Sequence, residues 1–246
     1  MNSIDITALQ QELKDKKPRA ILSKALSLVD SIALSFSGAE DVILIDLALT
    51  IKKDLAVFCL DTGRLHPETY RFIDNVAKHY GITIEILTPD RTYLDPFVKA
   101  KGLFSFYQDG HHECCGLRKV EPLKTKLAQL EAWITGQRKD QSIDTRQHLP
   151  EVQWDTTFGS ETKPLIKFNP LVNWNSAQVW DYIHAYQVPF NPLHQQGFVS
   201  IGCEPCTRAI LPNEHERAGR WWWEAETKKE CGLHAGNINP LPYSQA

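Results

Sequence analysis

Apolar positions along the chain switch repeatedly between helical spacing and short unbroken runs. Ile6, Leu9 and Leu13 form one stripe within residues 3–16, and Pro18 opens a second amphipathic helix over 18–29. Ile32-Ala33-Leu34-Ser35-Phe36 is a short apolar run. It ends in Ser37-Gly38-Ala39-Glu40-Asp41, and helical periodicity resumes from Val42 to Ile51. Residues 55–60 predict a second buried strand, closed by Asp61-Thr62-Gly63; Cys59 inside it reads as a core residue. Pro67 starts a helix to about Tyr80, Gly81 ends it, and 83–87 forms a third strand. A helical region covers 93–109, Pro122 breaks or restarts a helix, and 132–135 is another strand. β-like patches follow around 152–154 and 165–168. A helix capped by Asn175 or Ser176 then runs to Tyr186, with Val179, Trp180 and Ile183 facing inward.

Strands alternating with helices predict an α/β fold, a mostly parallel sheet covered by helices. Ligands of such sheets bind beyond the carboxyl ends of the strands, where 37–41 and 61–63 fall. The turn 37–41 suits a phosphate held by backbone N–H groups and a helix N-terminus. A Ser-Gly turn before a helix also serves as a plain N-cap. The Gly-Lys-Ser/Thr ending of a Walker loop is absent.

Composition narrows the partners. The 246 residues carry 42% hydrophobic and 23% charged side chains, ordinary for a soluble protein. No apolar run approaches a membrane span, and Met1-Asn2-Ser3-Ile4-Asp5 lacks a signal-peptide pattern, so a cytoplasmic location and no membrane partner are expected. A formal charge of −3 argues against nucleic acid as a partner. An anionic ligand must then be held by local basic clusters. The expected organisation is one binding domain over 1–220 and a C-terminal tail over 221–246.

Those clusters adjoin cysteines. Cys114 and Cys115 stand in tandem before Arg118 and Lys119, and Cys203-Glu204-Pro205-Cys206 leads towards Arg208, Arg217 and Arg220. A lone CxxC fits redox, zinc or haem chemistry. Adjacent side chains diverge, so a tandem Cys-Cys suits a cluster of separated irons better than one tetrahedral zinc. The expectation is a [4Fe-4S] cluster, one per chain, held by Cys114, Cys115, Cys203 and Cys206, with zinc as the alternative. On a helix Cys115 and Lys119 share a face.

Further basic residues follow the fourth predicted strand, in Gly136-Gln137-Arg138-Lys139-Asp140-Gln141-Ser142 and at Arg146, a stretch that also reads as a solvated loop. Arg217 and Arg220, three apart, would form an oxyanion fork on a helix or else an exposed patch. Trp221-Trp222-Trp223 predicts a packing anchor. Cys231 sits in a polar, glycine-flanked tail beside Lys228, Lys229 and His234. It is either a reactive nucleophile or a solvent-exposed bystander.

Taken together, the Ser-Gly-Ala-Glu-Asp turn, the Cys-Cys pair, Thr-Gly-Gln-Arg-Lys-Asp-Gln-Ser, Cys-Glu-Pro-Cys and Glu-Cys-Gly-Leu-His resemble the assimilatory sulfonucleotide reductases, in order and over nearly the whole chain. The iron–sulfur branch that reduces adenosine 5′-phosphosulfate (APS) is the nearest in pattern. The resemblance implies a Rossmann-like adenine nucleotide α-hydrolase fold. It implies that Ser35, Ser37, Gly38, Glu40, Asp41, Leu60 and Gly136 line the adenosine site and that Lys119, Arg146, Arg217 and Arg220 hold the phosphosulfate. Cys231 is then the nucleophile, and reduced thioredoxin or a glutaredoxin-like protein the reductant. A homo-oligomer is expected. Ala39 replaces the second glycine of the Ser-Gly-Gly-x-Asp-Ser loop of related ATP pyrophosphatases, which argues against that chemistry. The alternatives are the 3′-phosphorylated nucleotide (PAPS) as substrate, an ATP-dependent adenylating enzyme, and a non-catalytic iron–sulfur or zinc protein.

Overall fold

The computed structural model describes residues 4–141 and 146–224. After α1 (Ile6–Leu13) and α2 (Pro18–Leu28) the chain alternates through β1 (Ile32–Phe36), α3 (Ala39–Leu49), β2 (Ala56–Leu60), α4 (Pro67–Tyr80) and β3 (Ile84–Leu87). Next come α5 (Arg91–Lys101), α6 (Phe106–Asp109), α7 (His112–Cys115), a π-helical turn over Gly116–Val120 and α8 (Glu121–Leu127). The last elements are β4 (Ala132–Ile134), β5 (Val152–Trp154), β6 (Ile166–Phe168) and α9 (Ser176–Tyr186), with short 3₁₀ turns at Pro192–Gln196 and Glu204–Cys206. The sheet order is β3-β2-β1-β4-β6-β5. β1 is parallel to β2 and β4, β4 is parallel to β6, and β5 runs antiparallel to β6.

The chain divides into two compact units. Residues 4–59, 71–85, 127–141 and 146–191 make the first, and 60–70, 86–126 and 192–224 the second. In the first, the central strands β1, β4 and β6 are buried on both faces apart from half-buried Ser35, while β3 at the end of the sheet is half-buried to exposed. From Val42 onward helix α3 is apolar apart from Asp46; Val42, Ile43, Leu44, Ile45 and Ala48 are all buried, and the helix packs on α2, β1 and α9. Burying each of its large aliphatic side chains contributes about 1.5–3 kcal/mol. The helix starts at Ala39 rather than at Val42, because Asp41 is its N3 residue and its carboxylate accepts from Gly38 N–H.

The second unit has its own core of Phe97, Phe106, Leu117, Trp221 and the cysteines 114, 115, 203 and 206. The helical region expected over 93–109 is divided. Gly102 adopts φ 82°, which ends α5 and leaves a turn before α6. The chain stays helical without a break from α7 through the π-helical turn into α8, so Pro122 neither ends nor restarts the helix; the π turn directly before it is where the hydrogen-bond pattern changes. No helix among the described residues is long and apolar enough to cross a membrane.

Candidate active site

In the first unit the parallel strands β1 and β4 bring their carboxyl ends to one edge of the sheet, and the turn 37–41 is tied to the loop after β4. Asp41 is buried and accepts four hydrogen bonds, from Ser37 N (2.8 Å), Ser37 Oγ (2.9 Å), Gly38 N (3.0 Å) and Gly136 N (2.9 Å). Burial pushes its carboxyl up to about 6, Glu40 adds to the rise, and the bonds from Ser37 and Gly38 oppose it. Gly136 is required by this closeness: a Cβ there would lie 2.5 Å from Asp41 Oδ1 and 2.8 Å from Glu40 Cβ. Glu40 Oε1 accepts from Arg138 Nε (3.1 Å) and Nη2 (3.0 Å) and from Gln141 Nε2 (3.0 Å). The Gln141 carbonyl oxygen accepts in turn from Arg146 Nη1 and from Arg138 N.

The turn therefore holds its acidic residues inward. Both carboxylates and the Ser37 and Gly38 N–H groups are engaged with protein partners, while Ser35 is half-buried on β1. Arg138, in the loop that also reads as solvated, is only 2% exposed. Arg146 is buried too. The Thr135 hydroxyl anchors the loop through Asn169 Oδ1 at 2.9 Å.

In the second unit Cys114, Cys115, Cys203 and Cys206 line one pocket with Arg64, Phe106, His111, Arg118 and Lys119. The π-helical turn after α7 keeps Cys115 and Lys119 on that pocket, as their spacing predicts. The turn 61–63 is fastened to it. Thr62 Oγ1 lies 3.2 Å from Cys203 Sγ, and Arg118 Nη1 donates to the Thr62 carbonyl (2.7 Å). Gly63 takes φ 69°, which suits glycine, and Asp61 Oδ1 accepts from its N–H (2.8 Å). Leu60, which precedes this turn, is half-buried. Trp221 is fully buried, stacks on His111 with ring centroids 4.1 Å apart, and donates its backbone N–H to Cys206 O (3.1 Å). His111 Nδ1 is 2.8 Å from Glu224 Oε2. Of the three tryptophans, Trp221 is the anchor; Trp223 is half-buried, and Trp222 is 48% exposed.

Electrostatics divides the thiols. Burial raises Cys203, but Lys119, the bond from Thr62, Arg220 and Arg118 outweigh it and hold the thiol below its ordinary value. Cys206 is pushed up to about 12, chiefly by burial and then by Cys203. Burial also raises Cys114. Among the described residues no group of three or more His, Cys, Asp or Glu is gathered so as to hold a single metal ion. The donor set nonetheless fits a sulfur-bound anionic group. Four thiols share the pocket with three cations and no carboxylate, and Arg64 Nη1 and Arg118 Nε are buried without a hydrogen-bond partner.

The arginine fork is built differently from the sequence expectation. Residues 212–219 form turns, not a helix, because Gly219 packs its backbone against Arg208: a Cβ there would lie 2.3 Å from Arg208 O. Arg220 pairs with Thr207 in a β-bridge, is buried, and sets its guanidinium 4.5 Å over the Trp221 ring. Arg217 is half-buried in the turn. Sequence reasoning missed Arg64, Arg118, His111, Thr62 and Gln141 as site residues. Their signals were adjacency: Arg118 precedes Lys119, and Arg64 follows a turn already placed at a strand's carboxyl end. Cys231 lies outside the described residues.

Comparison with known proteins places this architecture. The phosphoadenosine phosphosulfate reductase domain matches residues 31–209, and the chain belongs to that family. It is 58% identical over 235 residues to a protein named adenosine 5′-phosphosulfate reductase from Pseudomonas aeruginosa (strain LESB58), covering 95% of this chain and 88% of that protein. A protein of the same name from Burkholderia cepacia is 45% identical over 247 residues, covering 98% of this chain and 96% of its own length. The crystal structure of phosphoadenylyl-sulfate (PAPS) reductase from Candida auris, a phosphate complex, superposes with a TM-score of 0.69 at 27% identity, covering 85% of this chain and 98% of that one. The Rossmann-like adenine nucleotide α-hydrolase fold is thereby borne out.

Proposed function

We propose that this chain reduces adenosine 5′-phosphosulfate to sulfite and AMP, with reduced thioredoxin as the electron donor. The observation that carries the reading is the set of four cysteines lining one cationic pocket, in a chain 58% identical to a protein named for APS reduction. Cys114, Cys115, Cys203 and Cys206 would hold one [4Fe-4S] cluster. When bound, the cluster supplies negative charge and structural cross-linking beside Lys119.

The chemistry assigned to the chain's own residues balances as two displacements. The Cys231 thiolate attacks the sulfate sulfur of APS, the S–O bond to the phosphate breaks, and AMP leaves with the electron pair, giving a cysteine S-sulfonate. A thioredoxin thiolate then attacks Cys231 Sγ and sulfite departs. The second thioredoxin thiol resolves the mixed disulfide, so thioredoxin ends oxidised and Cys231 returns as a thiolate. Lys119, Arg146, Arg217 and Arg220 hold the anionic reactant and the developing phosphate charge. Ser35, Ser37, Gly38, Leu60 and Gly136 line the adenosine, and Glu40 and Asp41 act from behind by shaping the turn. The division into a 1–220 domain and a 221–246 tail carrying the nucleophile, a cytoplasmic location with reduced thiols, and assembly into a homo-oligomer belong to the same reading.

The test is sulfite release from APS and from PAPS, run side by side with reduced thioredoxin. APS should be strongly preferred; preference for PAPS would favour the activity for which the Candida auris structure is named. Cys231→Ser should retain iron and APS binding but release no sulfite. Wild-type protein given APS alone should stop after one turnover with a sulfonate on the Cys231 peptide, visible by mass spectrometry. A label on Cys59 or a pocket cysteine would overturn the mechanism.

A further inference from the structure

Arg64 enters the cysteine pocket from the turn after β2 and is fixed there on several sides. Its carbonyl accepts from Glu204 N–H (2.8 Å), its own N–H donates to Thr62 Oγ1 (3.3 Å), and the next residue, Leu65, bridges to Cys203. The guanidinium carbon lies 5.4 Å from the Phe104 ring centroid and 5.2 Å from that of Phe106, and Nη2 donates to Leu103 O. Nη1, by contrast, is buried and has no hydrogen-bond partner among the described residues. A guanidinium can only donate, so this buried nitrogen calls for an acceptor. Four of the five lining side chains able to accept are cysteines, the fifth being His111.

We propose that Arg64 donates from Nη1 to a cysteine sulfur of the anionic group held in this pocket, as a donor that the fold fixes in advance. The planar fork suits the place: one nitrogen ties the side chain to Leu103 O, and another is left for the sulfurs. A methionine would keep a stem against the two rings and lose the donor; a lysine would keep the charge and lose the fork. An N–H donated to a thiolate draws electron density from the metal–sulfur bond and offsets the negative charge of the group. The inference rests on reading the four cysteines as ligands of a [4Fe-4S] cluster.

The experiment compares anaerobically purified wild type, Arg64→Met and Arg64→Lys. Each is measured for iron and sulfide content, for the resonance Raman bands of its iron–thiolate bonds, and for the rate at which a ferrous chelator removes iron. In Arg64→Met those bands should move to higher wavenumber, and the shift that wild type shows in heavy water should shrink. Iron should leave about tenfold faster. An Arg64 that only packs against Phe104 and Phe106 would alter the rate of iron loss and leave the bands and their heavy-water shift in place. The proposal is overturned if Arg64→Met, or Arg64→Lys where the former does not fold, holds iron with wild-type bands. A variant purified without iron is reconstituted with ferrous iron and sulfide before the comparison. If neither variant can be loaded, wild-type hydrogen exchange over β1, α3 and β4 supports the proposal, and loss of protection there overturns it. Wild type that carries zinc and no sulfide marks instead the failure of the cluster reading.

Discussion

In the turn of the first unit each acidic side chain is matched by donors of the protein itself: four hydrogen bonds on Asp41, three on Glu40, and buried Arg138 facing Glu40. Around the cysteines of the second unit the lining charges are Arg64, Arg118 and Lys119, with no carboxylate among them and with buried guanidinium nitrogens lacking partners. The turn can therefore form complete on folding. The cysteine pocket gathers positive charge of a kind that a bound anionic group would offset. One region is organised by its own side chains, the other by what it holds.

The sharpest way to break this comparison is to remove a thiol. Cys203 is held below its ordinary thiol value, with Lys119, Arg220 and Arg118 outweighing burial there, so Cys203→Ser should lose iron and sulfide, and activity with them. Leaving those cations uncompensated should cost about 3–5 kcal/mol locally. Hydrogen exchange should then rise over 86–126 and 192–224 and stay near wild type over β1, α3 and β4. Equal loss of protection in both units would refute the contrast.

The next effect concerns the turn and is set by pH. Asp41 has an ordinary carboxyl value of 3.8, raised in the fold to about 6 by burial and by Glu40. The folded state thus holds this proton more tightly than the unfolded chain does. The resulting stabilisation is full below pH 3.8, falls away between 3.8 and 6, and is gone above 6. The difference corresponds to about 3 kcal/mol across that window. Asp90, whose carboxyl the Thr92 bonds hold below its ordinary value, carries a slope of the opposite sign, so the comparison is with Asp41→Asn, which cannot titrate there. Unfolding by urea at pH 4 and pH 7 should show the variant gaining on wild type as pH rises. A constant gap would mean that Asp41 titrates as an ordinary surface acid.

The sheet was legible because buried parallel strands are unbroken apolar runs, and the strand at Ile32–Phe36 falls where the run does. The cysteine set was legible from spacing alone. Less legible were features that depend on distant backbone. Residues 212–219 carry the i, i+3 spacing of a helix, yet the close approach of Gly219 to Arg208 makes them turns. Glu40 and Asp41 follow a phosphate-type turn and look like ligand contacts. Only their partners, Gly136, Arg138 and Gln141 from a loop far along the chain, show that they face inward. Arg64 reaches the cysteines from a segment far off in sequence, which no local pattern encodes, whereas Arg118 stands one helical turn past Cys114.

The smallest effects sharpen the comparison by adding one methyl group to each region. In Gly136→Ala the new Cβ meets Asp41 Oδ1 at 2.5 Å, Glu40 Cβ at 2.8 Å and the Asp41 backbone nitrogen at 3.2 Å. Two of these belong to a bonded carboxylate and to backbone, so the turn itself must shift, at about 1–3 kcal/mol of overpacking. In Gly202→Ala the three atoms nearest the Cβ all belong to the Arg220 guanidinium, with Cζ and Nη2 at 2.5 Å. A side-chain end can move, so stability should fall by less, about 1 kcal/mol. The expected readouts diverge accordingly. Gly136→Ala should weaken nucleotide binding and lower the urea midpoint with iron content intact. Gly202→Ala should keep its midpoint nearly unchanged and lose about tenfold in kcat/KM for APS, as Arg220 leaves its seat on Trp221. If Gly202→Ala lowers the midpoint as much as Gly136→Ala, Arg220 is a packing element of the second unit rather than a charge held ready for the substrate.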